Sequence, residues 1–130
     1  MHVSLFIAFA LTVVASARLY NVEVRGILLC KENRYLQVYL ELCEHDIGYS
    51  DDILDWKFVP VNQRFEIKGN HSELFGINPY LRIRHNCQDI QEEVIVEFGK
   101  RTRDTSIDLD FVNLEEEGLK DLILNKYKKS

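Results

Sequence analysis

Residues 77–87 read INPYLRIRHNC, Ile77 through Cys87, and the alternation inside this stretch decides the fold class. Side chains along an extended chain point to opposite faces in turn, so Leu81, Ile83 and His85 share one face while Tyr80, Arg82 and Arg84 share the other. An apolar row backed by a cationic and aromatic row predicts a strand that covers a core on one side only. Pro79 stands at the first position, where a strand tolerates a missing N–H. Cys87 keeps the apolar parity, which turns its sulfur inward.

An inward thiol at a strand end calls for a partner, and Cys30 ends the alternating run YNVEVRGILLC, in step with Val22, Val24 and Leu28. A Cys30–Cys87 disulfide is therefore predicted; it closes a loop of about 57 residues and contributes about 4 kcal/mol by chain-entropy reckoning. Cys43 falls on the other parity. In LQVYLELC the buried set is Leu36, Val38, Leu40 and Leu42, and Cys43 lies with Gln37, Tyr39 and Glu41 on the outer face. A free thiol, an intermolecular link and a mistaken partner all stay open for it.

The alternation continues in both directions. YNVEVRGILLC and LQVYLELC are joined by KENR, short enough for an antiparallel pair. Trp56 and Phe58 begin a further apolar alternation that Pro60 ends, and Asn62-Gln63 supplies a turn. RFEIKG sets Phe65 and Ile67 inward, Gly69 marks that strand's end, and NHSELFG is a link that places His71 in a loop. EEVIVEF sets Val94, Val96 and Phe98 inward, and after the charged loop GKRTRDT, SIDLDFVNL sets Ile107, Leu109 and Phe111 inward. About seven short strands at near-regular spacing predict an all-β sandwich over residues 18–114. In residues 115–130, Leu119, Leu122, Ile123 and Tyr127 fall at helical spacing, with acids before lysines as the helix dipole favours, so a short C-terminal helix is expected.

Residues 1–17, MHVSLFIAFALTVVASA, read as a secretory signal: an apolar run followed by small residues at Ala15, Ser16 and Ala17. The run is too short for a membrane span. A secreted, extracellular protein is expected, and the cysteine usage agrees. Over all 130 residues, 21 Asp and Glu against 16 Lys and Arg give a formal net charge of −5, which argues against a nucleic-acid partner. Asn70-His71-Ser72 is a sequon, so Asn70 is a candidate glycosylation site.

In the order VRGILLC, LQVYLELCEHD, DDILD, RFEIKG, INPYLRIRHNC and IDLDFVNLE, the chain resembles the nematode transthyretin-like family of small secreted proteins. The family's G-x-L-x-C strand falls on Gly26, Leu28 and Cys30, its D-D-L-L stretch on Asp51 to Leu54, its F-x-L-x-G strand on Phe65 to Gly69, and its H-x-C on His85 and Cys87. Asn78 stands where the family has Asp, and the cysteines of the family's second disulfide are missing. The resemblance implies the transthyretin-type sandwich of two sheets. It also implies roles to weigh: some members are understood to bridge phosphatidylserine on dying cells to an engulfment receptor, and vertebrate transthyretin carries a small hydrophobic hormone.

Catalysis is not expected. The related 5-hydroxyisourate hydrolases end in Y-R-G-S, whereas this chain ends in YKKS, with Lys128 and Lys129 in place of the arginine and glycine. His85 reads as a hydrogen-bonded core residue and Cys87 as oxidised, leaving no thiolate nucleophile. No cofactor is implied. Asp46, Asp51, Asp52 and Asp55 match no EF-hand spacing and read as a solvated loop. The expectation is a binding or signalling module for a cell-surface or matrix protein, with an anionic lipid or small hydrophobic ligand as the alternative. Its candidate contacts are the row Tyr80, Arg82, Arg84 and the loop residues Lys100, Arg101, Arg103; the arginines of the row are expected to pair with acids on a neighbouring strand.

Overall fold

Alternation in the sequence becomes seven strands: β1 (Arg18–Leu29), β2 (Gln37–Glu44), β3 (Asp52–Pro60), β4 (Arg64–Glu73), β5 (Pro79–His85), β6 (Glu92–Glu97) and β7 (Thr105–Asn113). The structure is a computed structural model and describes residues 17–46, 48–117 and 119. The strands form two sheets, one in the order β4-β1-β7 and one in the order β3-β2-β5-β6. Their facing sides bury Val22, Val24, Leu28, Phe65, Ile67 and Leu109 from the first sheet and Val38, Leu40, Leu42, Leu81, Ile83, Val94 and Val96 from the second. This is the expected all-β sandwich. Pro60 and Pro79 sit at strand ends, where a missing N–H breaks no ladder.

Cys30 and Cys87 are bonded, with Cα atoms 6.0 Å apart. The bridge joins the end of β1 to the residues just after β5, so it staples the two sheets. Asn62 secures the same end from the β3–β4 turn. Its side chain accepts from the Cys30 N–H at 3.2 Å and donates to the Cys30 carbonyl at 3.0 Å, and its own N–H donates to the Leu28 carbonyl at 2.7 Å.

Several expectations are corrected. β1 and β2 do not pair: β1 lies between β4 (antiparallel) and β7 (parallel), and β2 between β3 and β5. The link after Cys30 crosses between layers, and β1's end is tied to Asn62 instead. Gly69 does not end its strand, since β4 runs on to Glu73 and carries His71 and Asn70 within it. Phe111 is not inward but 67 % exposed. β7 bulges between the partners of Arg25 and Ile27, Asp110 takes a φ of 57°, and the extra residue hands the inner face to Val112 and Leu114. Glu115 and Glu117 lie in turns, so the acids precede rather than form helix, and Leu119 is helical and buried. Residue 118 and residues 120–130, hence the rest of the expected helix and the YKKS ending, lie outside the described residues, as do residues 1–16 of the expected signal.

Candidate functional site

The outer face of the four-stranded sheet is set by register. Three rows cross it: Phe58, Tyr39, Arg84, Glu93; then Trp56, Glu41, Arg82, Ile95; then Ile53, Cys43, Tyr80, Glu97. Trp56 and Phe58 thus face solvent, at 58 % and 61 % exposure, instead of opening a core alternation. The inner parity of β3 belongs to Val59, with Lys57 and Asp55 following; inward-pointing charges on an edge strand discourage another chain from pairing there. The signal was present in the sequence, because Val59 and Val61 offer an apolar parity opposed to Trp56 and Phe58.

The three aromatic rings form one cluster. Tyr39 lies 5.4 Å from Phe58 and 6.2 Å from Trp56, and Trp56 meets Phe58 edge-on at 6.5 Å. The Arg84 guanidinium stands 5.8 Å over the Tyr39 ring. Beside this cluster the face is ionic. Arg82 donates to Glu41 at 2.6 Å and Arg84 to Glu93 at 3.0 Å, so the arginines pair with acids on neighbouring strands as expected.

Glu41 is a hub beneath that pair. Burial works to raise its pKa, but hydrogen bonds from Tyr39 at 2.6 Å and Cys43 at 3.3 Å, with the Arg82 charge, hold the carboxyl below the usual range. Cys43 has the outer parity predicted for it and is nonetheless buried and unpaired. A second layer explains this: Tyr80, itself buried, stacks on His45 at 4.2 Å and donates to Asp51 at 2.6 Å, and His45 reaches Glu97 at 2.8 Å. Burial and the bond to Glu41 push the Cys43 thiol up to about 12, so it is no nucleophile at neutral pH. Tyr80 is likewise not a surface contact residue but a cover over the sheet.

The remaining predicted residues are scattered. Lys100 and Arg103 are exposed in the loop before β7, and Arg101 is half-buried, donating to the Phe98 carbonyl at 3.0 Å. Ile77 and Arg101 exchange backbone hydrogen bonds, which places this loop beside the start of β5 and away from Arg84. Asn70 is exposed on β4, an edge strand. Of the four aspartates, Asp51 accepts from the Asp46 N–H at 3.2 Å, while Asp52 faces His71 at 3.2 Å. A group that sequence reasoning missed lies there: Glu44, His71 and Glu73 bring one ligand atom each within 4.8 Å of one another. Strand ends far apart in sequence build it, so no local spacing announced it.

The outer face of the three-stranded sheet contrasts with the aromatic one. Glu23, Arg25, Arg64, Glu66, Lys68 and Asp108 form a ladder of ion pairs there. No helix among the described residues is long and apolar enough to cross a membrane.

Comparisons with known proteins agree with this architecture. A family model described as the transthyretin-like family matches residues 25–108. Transthyretin-like protein 16 of Caenorhabditis elegans is 39 % identical over 72 residues, covering 55 % of this chain and 54 % of its own. Transthyretin-like protein 46 of the same organism is 34 % identical over 76 residues, covering 58 % and 42 %. The chain thus spans about half the length of the curated relatives it matches. Among solved structures, a 9R-lipoxygenase from Cyanothece aligns with a TM-score of 0.44 at 17 % identity, over 74 % of this chain and 16 % of that one, too slight a likeness to bear on fold or function.

Proposed function

Since the chain belongs to the transthyretin-like family, we propose that it is an extracellular, non-enzymatic binding module that recognises a cell-surface or matrix protein through the outer face of its four-stranded sheet. The observation that carries this reading is the uncovered cluster of Tyr39, Trp56 and Phe58 with Arg84 against it. Leaving Trp56 and Phe58 in water forgoes roughly 1.5–3 kcal/mol of burial for a side chain of this size. Aromatic side chains and arginine on a rigid platform are also the groups that anchor protein interfaces, because large area is presented at little entropic cost. The disulfide and the signal-like residues 1–17 support an extracellular setting.

A net charge of −5 works against an anionic bilayer, and the row arginines already have carboxylate partners. The test is direct binding of the purified protein to an array of cell-surface ectodomains and matrix proteins, with phosphatidylserine vesicles as a second arm. Trp56→Ala is expected to weaken a protein hit by roughly 30-fold or more, while Arg64→Ala on the opposite sheet leaves it unchanged. Wild-type affinity in the Trp56 variant, binding that follows the vesicles alone, or turnover of 5-hydroxyisourate above the spontaneous rate would each displace this reading.

A further inference from the structure

The disulfide staples one end of the sandwich, and the opposite end is held differently. There β2 finishes at Glu44, β3 begins at Asp52 and β4 finishes at Glu73, so strands of both sheets deliver polar side chains to one place. The His71 Nε2 lies 3.1 Å from Glu73 Oε1 and 3.2 Å from Asp52 Oδ2. Glu44 is 2 % exposed, and its fully enclosed Oε2 meets no donor group among the described residues, the Glu44 carboxyl being set against that of Glu73. A buried carboxylate oxygen without a partner is costly, by about 1–3 kcal/mol or more. Burial above all, then a hydrogen bond shared with the Glu73 carboxyl and the like charges of Glu73, Asp46 and Asp52, push the Glu44 carboxyl up to about 8, so in the absence of a cation a proton holds the two carboxyls together.

We propose that Glu44, His71 and Glu73 bind a divalent metal ion of the zinc type, leaving a fourth position for water beside Asp52. One donor atom from each of the three lies within 4.8 Å of the others. Ligands around a tetrahedral zinc sit about 3.4 Å apart, so side-chain adjustments of an ångström or so complete the shell without moving the strands. An imidazole among carboxylates selects zinc over calcium or magnesium, which take shells of oxygen alone. The ion occupies the place of the proton between the imidazole and its carboxylates and supplies the positive charge that the enclosed Glu44 oxygen lacks. Its ligands come from β4 in one sheet and β2 in the other, so binding closes the end of the sandwich that the disulfide leaves open.

Titration of EDTA-stripped protein with zinc chloride by calorimetry, paired with thermal unfolding, tests this. One zinc per chain and a rise of several degrees in Tm at saturation are expected. Glu44→Gln, nearly isosteric, and His71→Asn, which keeps the Asn70 sequon, should each weaken zinc about tenfold or more and abolish the Tm shift. His45→Gln, altering an imidazole held by Asp51 and Glu97 instead, should change neither. If Glu44→Gln fails to fold, His71→Asn decides. Absence of stoichiometric zinc binding, wild-type affinity in His71→Asn, loss of binding in His45→Gln, or tighter binding of calcium overturns the assignment.

Discussion

His85 shows what a single buried ring does to the acid side of stability. Its side chain is almost wholly enclosed, and its Nδ1 accepts from the Cys87 N–H at 3.1 Å, which leaves the neutral ring's proton on Nε2. That nitrogen has no hydrogen-bond partner among the described residues, and Glu92 approaches it only to 3.7 Å. Burial lowers the pKa, and Glu92 offsets this in part. The unfolded chain therefore takes up the proton at a higher pH than the folded one. Stability attributable to this residue is complete above about pH 6.5 and is lost as pH falls below it, by up to about 1.4 kcal/mol per pH unit. Urea midpoints measured from pH 7.5 down to 5 should fall for the wild type and fall less for His85→Gln; parallel profiles would refute the argument. The alternation of residues 77–87 was enough to place this ring inside. It could not do the same for Cys43, whose parity was right and whose burial depends on Tyr80, His45 and Asp51 forming a second layer over the sheet.

At the scale of elements, Gly69 marks where two strands come closer than side chains normally allow. It lies mid-strand in β4, and a Cβ there would stand 2.6 Å from the Cβ of Leu54, the extra residue of the bulge in β3. Both atoms belong to rigid positions, so β3 and β4 would have to separate. Gly69→Ala should cost about 1–3 kcal/mol, whereas Lys68→Ala, one position away and exposed, should stay within about 0.5 kcal/mol. Equal denaturation midpoints for the two variants would show that the approach is not as tight as drawn. The existence and chain order of the strands were legible, and so were the inner faces of β1, β2, β4, β5 and β6, since period-two alternation states them directly; β3 and the end of β7 were read on the wrong parity. Partners and bulges were not. The chain marks Asp110 with no glycine, so the flip that exposes Phe111 left no trace in composition, and the parallel pairing of β1 with β7 joins segments that only the closed sandwich brings together.

For the whole molecule, the question is what holds two sheets face to face when seven strands share a single apolar layer. The Cys30–Cys87 bridge spans 57 residues of sequence and links the sheets at the end where Asn62 also ties the β3–β4 turn to β1. Pairing was legible from parity alone, because both sulfurs stand on inner faces and Cys43 does not. The aromatic face was harder to read: Trp56 and Phe58 look like core residues until the register with Tyr39 and Glu41 places them outside. Loop closure over this span predicts a loss of about 4 kcal/mol when both cysteines become alanine, a large part of the 5–15 kcal/mol typical of a domain. The loss should appear mainly as a lower denaturant midpoint with the aromatic face intact, so the variant, at a temperature where it remains folded, should bind the same partner as the wild type. Binding that vanishes while far- and near-ultraviolet circular dichroism stay native would mean that the bridge shapes the recognition face directly, and the division between a stapled scaffold and a separate aromatic platform would have to be abandoned.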